Sequence, residues 1–394
     1  MGHRDVWIVS ATRTPIGSFL GSLADRSAPE LGSVVISEAL ARAKIEGKDV
    51  SEVMMGCVLT AAMGQAPARQ AAIYADLPSS VPCTTIGKVC GSGLKAAMLG
   101  AQAIASGNAE VVVAGGMESM SNAPYALKHY RKGVKMGHQE MIDTMVHDGL
   151  WDVYNNFHMG SAGELCAKKY GFSREMQDAF AKQSYERALQ AQENGSFEQE
   201  IVSVEIVNQK SGSTFVSMDE EPKKGNFDKF QSLRPVFSKD GTITAANASS
   251  INDGAAALVL VSDEELKKRN LKPLARICGH AQFAREPEWF TVAPAGAISK
   301  LLGQLSWNLA DVDLFEINEA FAVVNLAVAK ELSLDPSRVN VHGGAVSLGH
   351  PIGASGARIL TTLIYALQKH GKKRGIASLC IGGGEAVAMG IECI

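Results

Sequence analysis

The sequence predicts an α/β protein of two similar halves separated by a long insertion, and three observations carry that expectation. Short continuous apolar runs, such as Glu110 to Ala114 and Ile376 to Ile381, suit strands covered on both faces by helices. Helix-compatible stretches alternate with these runs. The last third also repeats the first in outline: Val111-Val112-Val113-Ala114-Gly115-Gly116 and Ala377-Ser378-Leu379-Cys380-Ile381-Gly382-Gly383 read as equivalent strands that end in glycine.

Taken in order, Val6 to Ser10 is a strand, followed by a loop and a helix near Leu31 to Ala43. Val53 to Leu59 is a second strand. Gly91 to Ser106 is rich in small residues and helix-compatible, and Glu110 to Ala114 is the fully apolar strand after it. From Met117 to about Ala246 the chain carries more Met, His, Tyr and Lys, and buried-strand signals thin out. That segment holds one clear helix, Arg174 to Gln192, with Ser173 as N-cap and Gly195 just past its end. Pro222-Lys223-Lys224-Gly225-Asn226 reads as an exposed turn. An insertion of this kind over a sheet scaffold is where substrate loops are expected. The α/β pattern returns with a strand at Ala255 to Val261 and a charged helix at Asp263 to Arg269. Then come a strand (Leu314 to Ile317), a helix, a strand (Val339 to His342), a glycine-rich turn into a helix (Ser355 to His370), and the strand Ile376 to Ile381.

With 394 residues, 46% hydrophobic and 20% charged, the chain can bury a large core and form two or more domains. A net charge of −3 argues against a broad nucleic-acid or membrane footprint, so an acidic ligand needs a local basic patch. Seven cysteines without a C-x-x-C pair disfavour zinc ligation and a disulfide scaffold, and suit a reducing cytosol. Met1-Gly2-His3-Arg4-Asp5 runs straight into Val6 with no signal, transit or myristoylation pattern. No apolar run reaches membrane-spanning length, and Ile391-Glu392-Cys393-Ile394 is neither a prenylation box nor a peroxisomal tripeptide. The expectation is a cytoplasmic protein without nucleic acid or membrane as partner.

Four glycine-rich or turn-placed groups carry the chemistry. Cys90, in Lys88-Val89-Cys90-Gly91-Ser92-Gly93-Leu94-Lys95, sits where a tight turn enters a helix; the dipole and free N–H groups there favour a thiolate and can hold an oxyanion. Cys57, Cys166 and Cys278 read instead as small buried hydrophobes. His350 lies between Gly349 and Pro351, a rigid turn suited to projecting an imidazole that takes the Cys90 proton. Cys380 ends an apolar strand before three glycines; a second nucleophile being redundant, a base is its more useful role. Asn318, in Glu316-Ile317-Asn318-Glu319-Ala320-Phe321, lies where a strand meets a helix. Its neutral amide can bond a water, although alone it would pass for a helix N-cap.

The blocks around Cys90, Asn318-Glu319-Ala320-Phe321, Gly349-His350-Pro351-Ile352-Gly353 and Cys380-Ile381-Gly382-Gly383-Gly384 resemble, in order and spacing, the four signature blocks of the thiolase family. The resemblance spans essentially the whole chain and is nearest the short-chain acetyl-CoA C-acetyltransferases. It implies duplicated βαβαβαββ halves in a layered α/β/α/β/α core, with residues 1–118 and 249–270 as the N-terminal half, 119–248 as an inserted coenzyme A loop domain, and 271–394 as the C-terminal half. It implies that Cys90 carries an acetyl thioester and that His350 activates it. His350, with a water held by Asn318, would stabilise an enolate oxygen. Cys380 would move the proton at the α-carbon of a second acetyl-CoA, and the N–H groups of Cys90 and Gly382 would form the other oxyanion hole. One departure is Gly87, where the family usually places Asn.

The same resemblance extends to ligand contacts. Asn156-Phe157-His158-Met159-Gly160 is similar to the segment that narrows the acyl pocket in short-chain members. Leu150, Lys224, Asn226, Lys229 and Ser249 fall at positions that contact coenzyme A, with Ala320 and Phe321 beside them. Tyr185 with Ala245, Ala246, Ala248 and Val346 resembles a potassium site, although Tyr185 alone would be helix packing. Besides that ion the resemblance implies no cofactor, only acetyl-CoA, acetoacetyl-CoA and CoA as substrates and products, and a homotetramer built as a dimer of dimers. The implied function is reversible condensation of two acetyl-CoA to acetoacetyl-CoA and CoA. The alternatives are a degradative 3-ketoacyl-CoA thiolase of broader chain length, against which His158-Met159 argues, and a non-catalytic acyl-CoA-binding module, which would have lost Cys90, His350 or Cys380.

Overall fold

The computed structural model describes residues 4–208 and 212–394. The first three residues, on which the expectation of no leader partly rests, lie outside the described residues. The first half comprises β1 (Val6–Arg13), β2 (Gly17–Ser18), α1 (Ala28–Ala43), β3 (Glu52–Gly56), α2 (Pro67–Tyr74), β4 (Cys83–Ile86), α3 (Ser92–Ala105) and β5 (Val111–Ser119). The insertion carries α4 (Met159–Tyr170) and α5 (Arg174–Glu193). After it come β6 (Asn252–Ser262), α6 (Asp263–Lys268), β7 (Ala275–Ala284), α7 (Ala293–Leu305), β8 (Leu314–Ile317), α8 (Ala322–Leu332), α9 (Ala345–Leu348), α10 (Ile352–Lys369), β9 (Arg374–Ile381) and β10 (Glu385–Cys393).

The strands run in the order β8-β9-β10-β7-β1-β6-β5-β3-β4, with the short β2 paired to β6. Residues 6–8 of β1 pair with 275–277 of β7 and join the half-sheets. Within each half, the strands toward the sheet edge are parallel (β4 with β3, β3 with β5; β8 with β9) and those toward the centre antiparallel. Three apolar cores define the layers: α1 and α2 cover the first half-sheet, α3 and α10 lie between the two, and α7 and α8 cover the second. This is the duplicated five-layer α/β/α/β/α arrangement.

Local signals account for most boundaries. Ser27 and Glu30 form a capping box that starts α1 three residues before Leu31, and Ser173 caps α5 through the Met176 amide. Two expectations need correction. The strand expected at Val53 to Leu59 stops at Gly56, because the Val58 and Leu59 amides turn to meet a buried carboxylate, Glu118. The strand expected at Val339 to His342 is reduced to isolated bridges, one of them parallel between Val339 and Phe315. Asn340 adopts φ +48°, which breaks the strand, and its side-chain amide both accepts from Ile317 N and donates to Ile317 O at 2.8 Å, doing the work of a backbone ladder. The insertion also holds a helix the sequence hid, α4. Gly160 packs on Phe237 and Gly163 on Ile243, so the contact face shows no apolar period.

Candidate active site

The duplication positions the reacting groups. Cys90 precedes α3 and His350 precedes α10, so nucleophile and imidazole stand at equivalent places on the twin central helices. These helices approach at glycines: a Cβ on Gly93 would lie 2.7 Å from Ala357 N, and one on Gly356 2.3 Å from Leu94 N. Val89, a β-branched residue at φ +44°, forces the turn that presents Cys90. Ser92 holds that turn, donating to Val89 O (2.7 Å) and accepting from Lys88 N (2.8 Å). Around Gly87, the departure from the family pattern, a Cβ would meet open space.

Cys90, His350 and Gly382 line one cavity of about 270 Å³. Leu150, His158, Met159, Ser249, Ala320 and Phe321 line the same cavity, so six of the ten expected substrate contacts gather there. Cys380 is not part of that lining; it is buried (1% exposed), two residues before Gly382 and close enough for a charge on Cys90 to oppose its ionisation. Burial raises Cys380 most. Burial also pushes the Cys90 thiol up to about 11, against the lowering effect of the nearby backbone N–H groups of Gly382 and of Cys90 itself. Burial thus opposes the thiolate that the helix terminus favours.

His350 is 5% exposed, and burial first, then Arg358, lowers its pKa to about 3. Its Nδ1 lies 2.6 Å from Ser355 Oγ, which donates to Pro351 O at 2.9 Å. The serine proton being committed, Nδ1 is the donor, and Nε2 keeps its lone pair to receive the thiol proton. Asn252 Oδ1 fixes the turn by accepting from His350 N at 2.9 Å. Asn318 is no N-cap, since Phe321 takes that place on α8. Its Nδ2 lies 3.5 and 3.4 Å from the two imidazole nitrogens, and its Oδ1 has no partner among the described residues.

His158 caps α4, accepting from Gly160 N through Nδ1 at 3.1 Å, and its ring stacks on Phe237 at 4.7 Å. Phe237 packs edge-on against Phe321, and with Phe290, Met120 and Ile352 completes the cavity wall. No periodic or motif signal pointed to Phe237. Lys224, Asn226 and Lys229 are exposed and outside this lining, and the Lys224 ammonium reaches Ser18 Oγ and Glu221. Tyr185, Ala246 and Val346 share a small cluster with Phe230, while Ala245 is exposed and Ala248 bridges to Phe321. Glu221 and Glu319 act on the Tyr185 hydroxyl after burial in raising its pKa, so the neighbourhood is negative. Hydroxyl and carbonyl oxygens are donor types that a potassium ion takes.

Residues 6–264 match the family model described as thiolase, N-terminal domain, and residues 271–393 the one described as thiolase, C-terminal domain. The chain belongs to the thiolase family, and is an acyltransferase. It is 52% identical over 393 residues to an acetyl-CoA acetyltransferase of Schizosaccharomyces pombe, covering all of both chains. It is 53% identical to acetyl-CoA acetyltransferase 2 of Arabidopsis thaliana, covering 99% and 98%. Among solved structures it is similar to Acat5 thiolase from Ascaris suum in complex with coenzyme A (TM-score 0.94, 46% identity, 99% and 100% covered). It is likewise similar to the Bacillus anthracis acetyl-CoA acetyltransferase (TM-score 0.97, 44% identity, all of both chains).

Proposed function

We propose that this protein is an acetyl-CoA C-acetyltransferase, condensing two acetyl-CoA to acetoacetyl-CoA and CoA and catalysing the reverse thiolysis. The observation that carries the reading is the gathering of Cys90, His350 and Gly382 on one small apolar cavity, with the buried Cys380 close enough to feel a charge on Cys90. Cys90 gives its proton to His350 Nε2 and attacks the acetyl carbonyl, whose oxygen is held by the Cys90 and Gly382 amides. The bond to CoA breaks, and CoA leaves as the thiol with the Cys380 proton. The Cys380 thiolate then removes a proton from the methyl group of a second acetyl-CoA. The enolate oxygen is held by the imidazolium and by a water on Asn318. Its carbon attacks the acetyl-cysteine, and Cys90 recovers its proton from His350. Each oxyanion donor contributes on the order of 3 kcal/mol, which an enolate of a thioester requires.

Coenzyme A thioesters are the substrates. Lys224, Asn226 and Lys229, together with Leu150 and Ser249, would meet the coenzyme, the lysines serving its phosphates. The domain division at 118/119, 248/249 and 270/271 belongs to this reading. Tyr185 with the carbonyls of Ala245, Ala246, Ala248 and Val346 would hold a potassium ion, whose charge would steady the loop domain against the catalytic half. A homotetramer in the cytoplasm completes the proposal. It is supported by the exposed edge strand β4 and by exposed apolar side chains at Tyr125, Tyr130, Met136 and Met141. Among the described residues no helix is long and apolar enough to cross a membrane.

The His158–Phe237 stack limits the acyl pocket. Steady-state thiolysis across a series of 3-ketoacyl-CoA substrates is expected to give the highest kcat/KM on acetoacetyl-CoA, falling with each added carbon pair. Equal or rising kcat/KM on longer chains would instead assign the degradative activity.

A further inference from the structure

Glu118 is fully buried near the end of β5 and takes no part in the chemistry above. Its carboxylate receives donors from two separate segments. Oε2 accepts from Val58 N at 3.1 Å and Gly353 N at 2.9 Å; Oε1 accepts from Leu59 N at 3.2 Å and lies 3.6 Å from Cys57 Sγ. Gly353 is in the turn that carries His350. Leu59 belongs to the apolar cluster of Met120, Met145 and Ile352, against which Cys90 packs. The fit is close: a Cβ on Gly353 would lie 2.7 Å from Glu118 Oε2 and 2.8 Å from Met117 O.

We propose that Glu118 is a positioning residue, a buried carboxylate that ties the His350 turn to the wall behind Cys90 and so sets imidazole against thiol. Asn252 anchors the His350 amide at the start of the turn and Glu118 anchors the Gly353 amide three residues on, so the turn is held at both ends. Four convergent donors leave no acceptor for a carboxyl proton, so the ionised form is the one that fits, although burial raises this group to about 7. An amide in its place presents N–H groups to N–H groups and releases one segment. Lys224, Asn226 and Lys229, the contacts proposed for the coenzyme's polar end, lie outside this cavity, so the larger loss falls on the chemical step.

The proposal rests on the acyl-transfer reading, and single-turnover acetylation of Cys90 separates the two. If the wild-type protein does not acetylate at Cys90, the functional reading fails. If it does, Glu118→Gln is expected to acetylate about 100-fold more slowly at saturating acetyl-CoA, the order of loss for a misplacement near 1 Å. The half-saturating concentration should stay within about threefold. Glu118→Asp, which keeps the charge, should recover part of the rate. An unchanged rate in Glu118→Gln, or a raised half-saturating concentration with the saturated rate intact, overturns the proposal. Should Glu118→Gln fail to fold, Gly353→Ala pushes on the same carboxylate and is expected to give the same split; a wild-type rate there overturns it equally.

Discussion

Two opposed effects act on Cys90. The helix N-terminus favours its thiolate by about 0.3–1 kcal/mol, while burial in an apolar cavity raises the thiol to about 11 and lowers His350 to about 3. Burial is the larger effect, so at neutral pH thiol and imidazole are both uncharged, and the proton crosses only when acyl transfer begins. Alkylation of Cys90 by iodoacetamide should therefore keep rising with pH from about 7 to beyond 9, because thiolate accumulates only towards the raised pKa. A plateau below pH 7 would reveal a preformed ion pair and contradict this. Cys90, His350, Cys380 and Asn318 stood out in the sequence because each lies in or beside a glycine-rich turn or a strand end. Their protonation was not legible, because burial is set by residues distant in the chain. Glu118 was hidden for the same reason: its partner Gly353 lies 235 positions away.

The twin helices α3 and α10 bring these groups together, and their closeness depends on Gly93 and Gly356. A methyl at Gly356 would press on the backbone of Leu94, which cannot rotate away. Gly356→Ala is expected to lower stability by about 1–3 kcal/mol in denaturant unfolding and to slow Cys90 acetylation, since Cys90 and His350 ride on the separated helices. Unchanged stability with full activity would show the crossing to be loose. Elements with their own signals, such as the capped α1 and α5, were readable to within a few residues. Those set by side-chain substitution for backbone, such as the bridge at Val339, or by glycine packing, such as α4, were not. Periodicity records which face is apolar and is silent on what replaces a ladder bond.

Across the whole molecule, duplication explains why a pocket forms between halves: equivalent helix starts face each other, and the insertion supplies His158, Met159 and Phe237 as part of the wall. The insertion meets the C-terminal half around Tyr185 and Val346. If potassium joins them there, activity in KCl should exceed that in NaCl at equal ionic strength, and Tyr185→Phe should abolish the difference; identical rates in the two salts would remove the ion from the account. The central claim, that one sulfur carries the acyl group while another moves the proton, is tested most directly by separating the half-reactions in Cys380→Ser. Incubation with acetyl-CoA followed by peptide mass spectrometry should find acetyl on Cys90 in both wild type and variant, with acetoacetyl-CoA formed at a useful rate only by the wild type. Acetyl on another cysteine, or equal loss of both half-reactions in the variant, would contradict it.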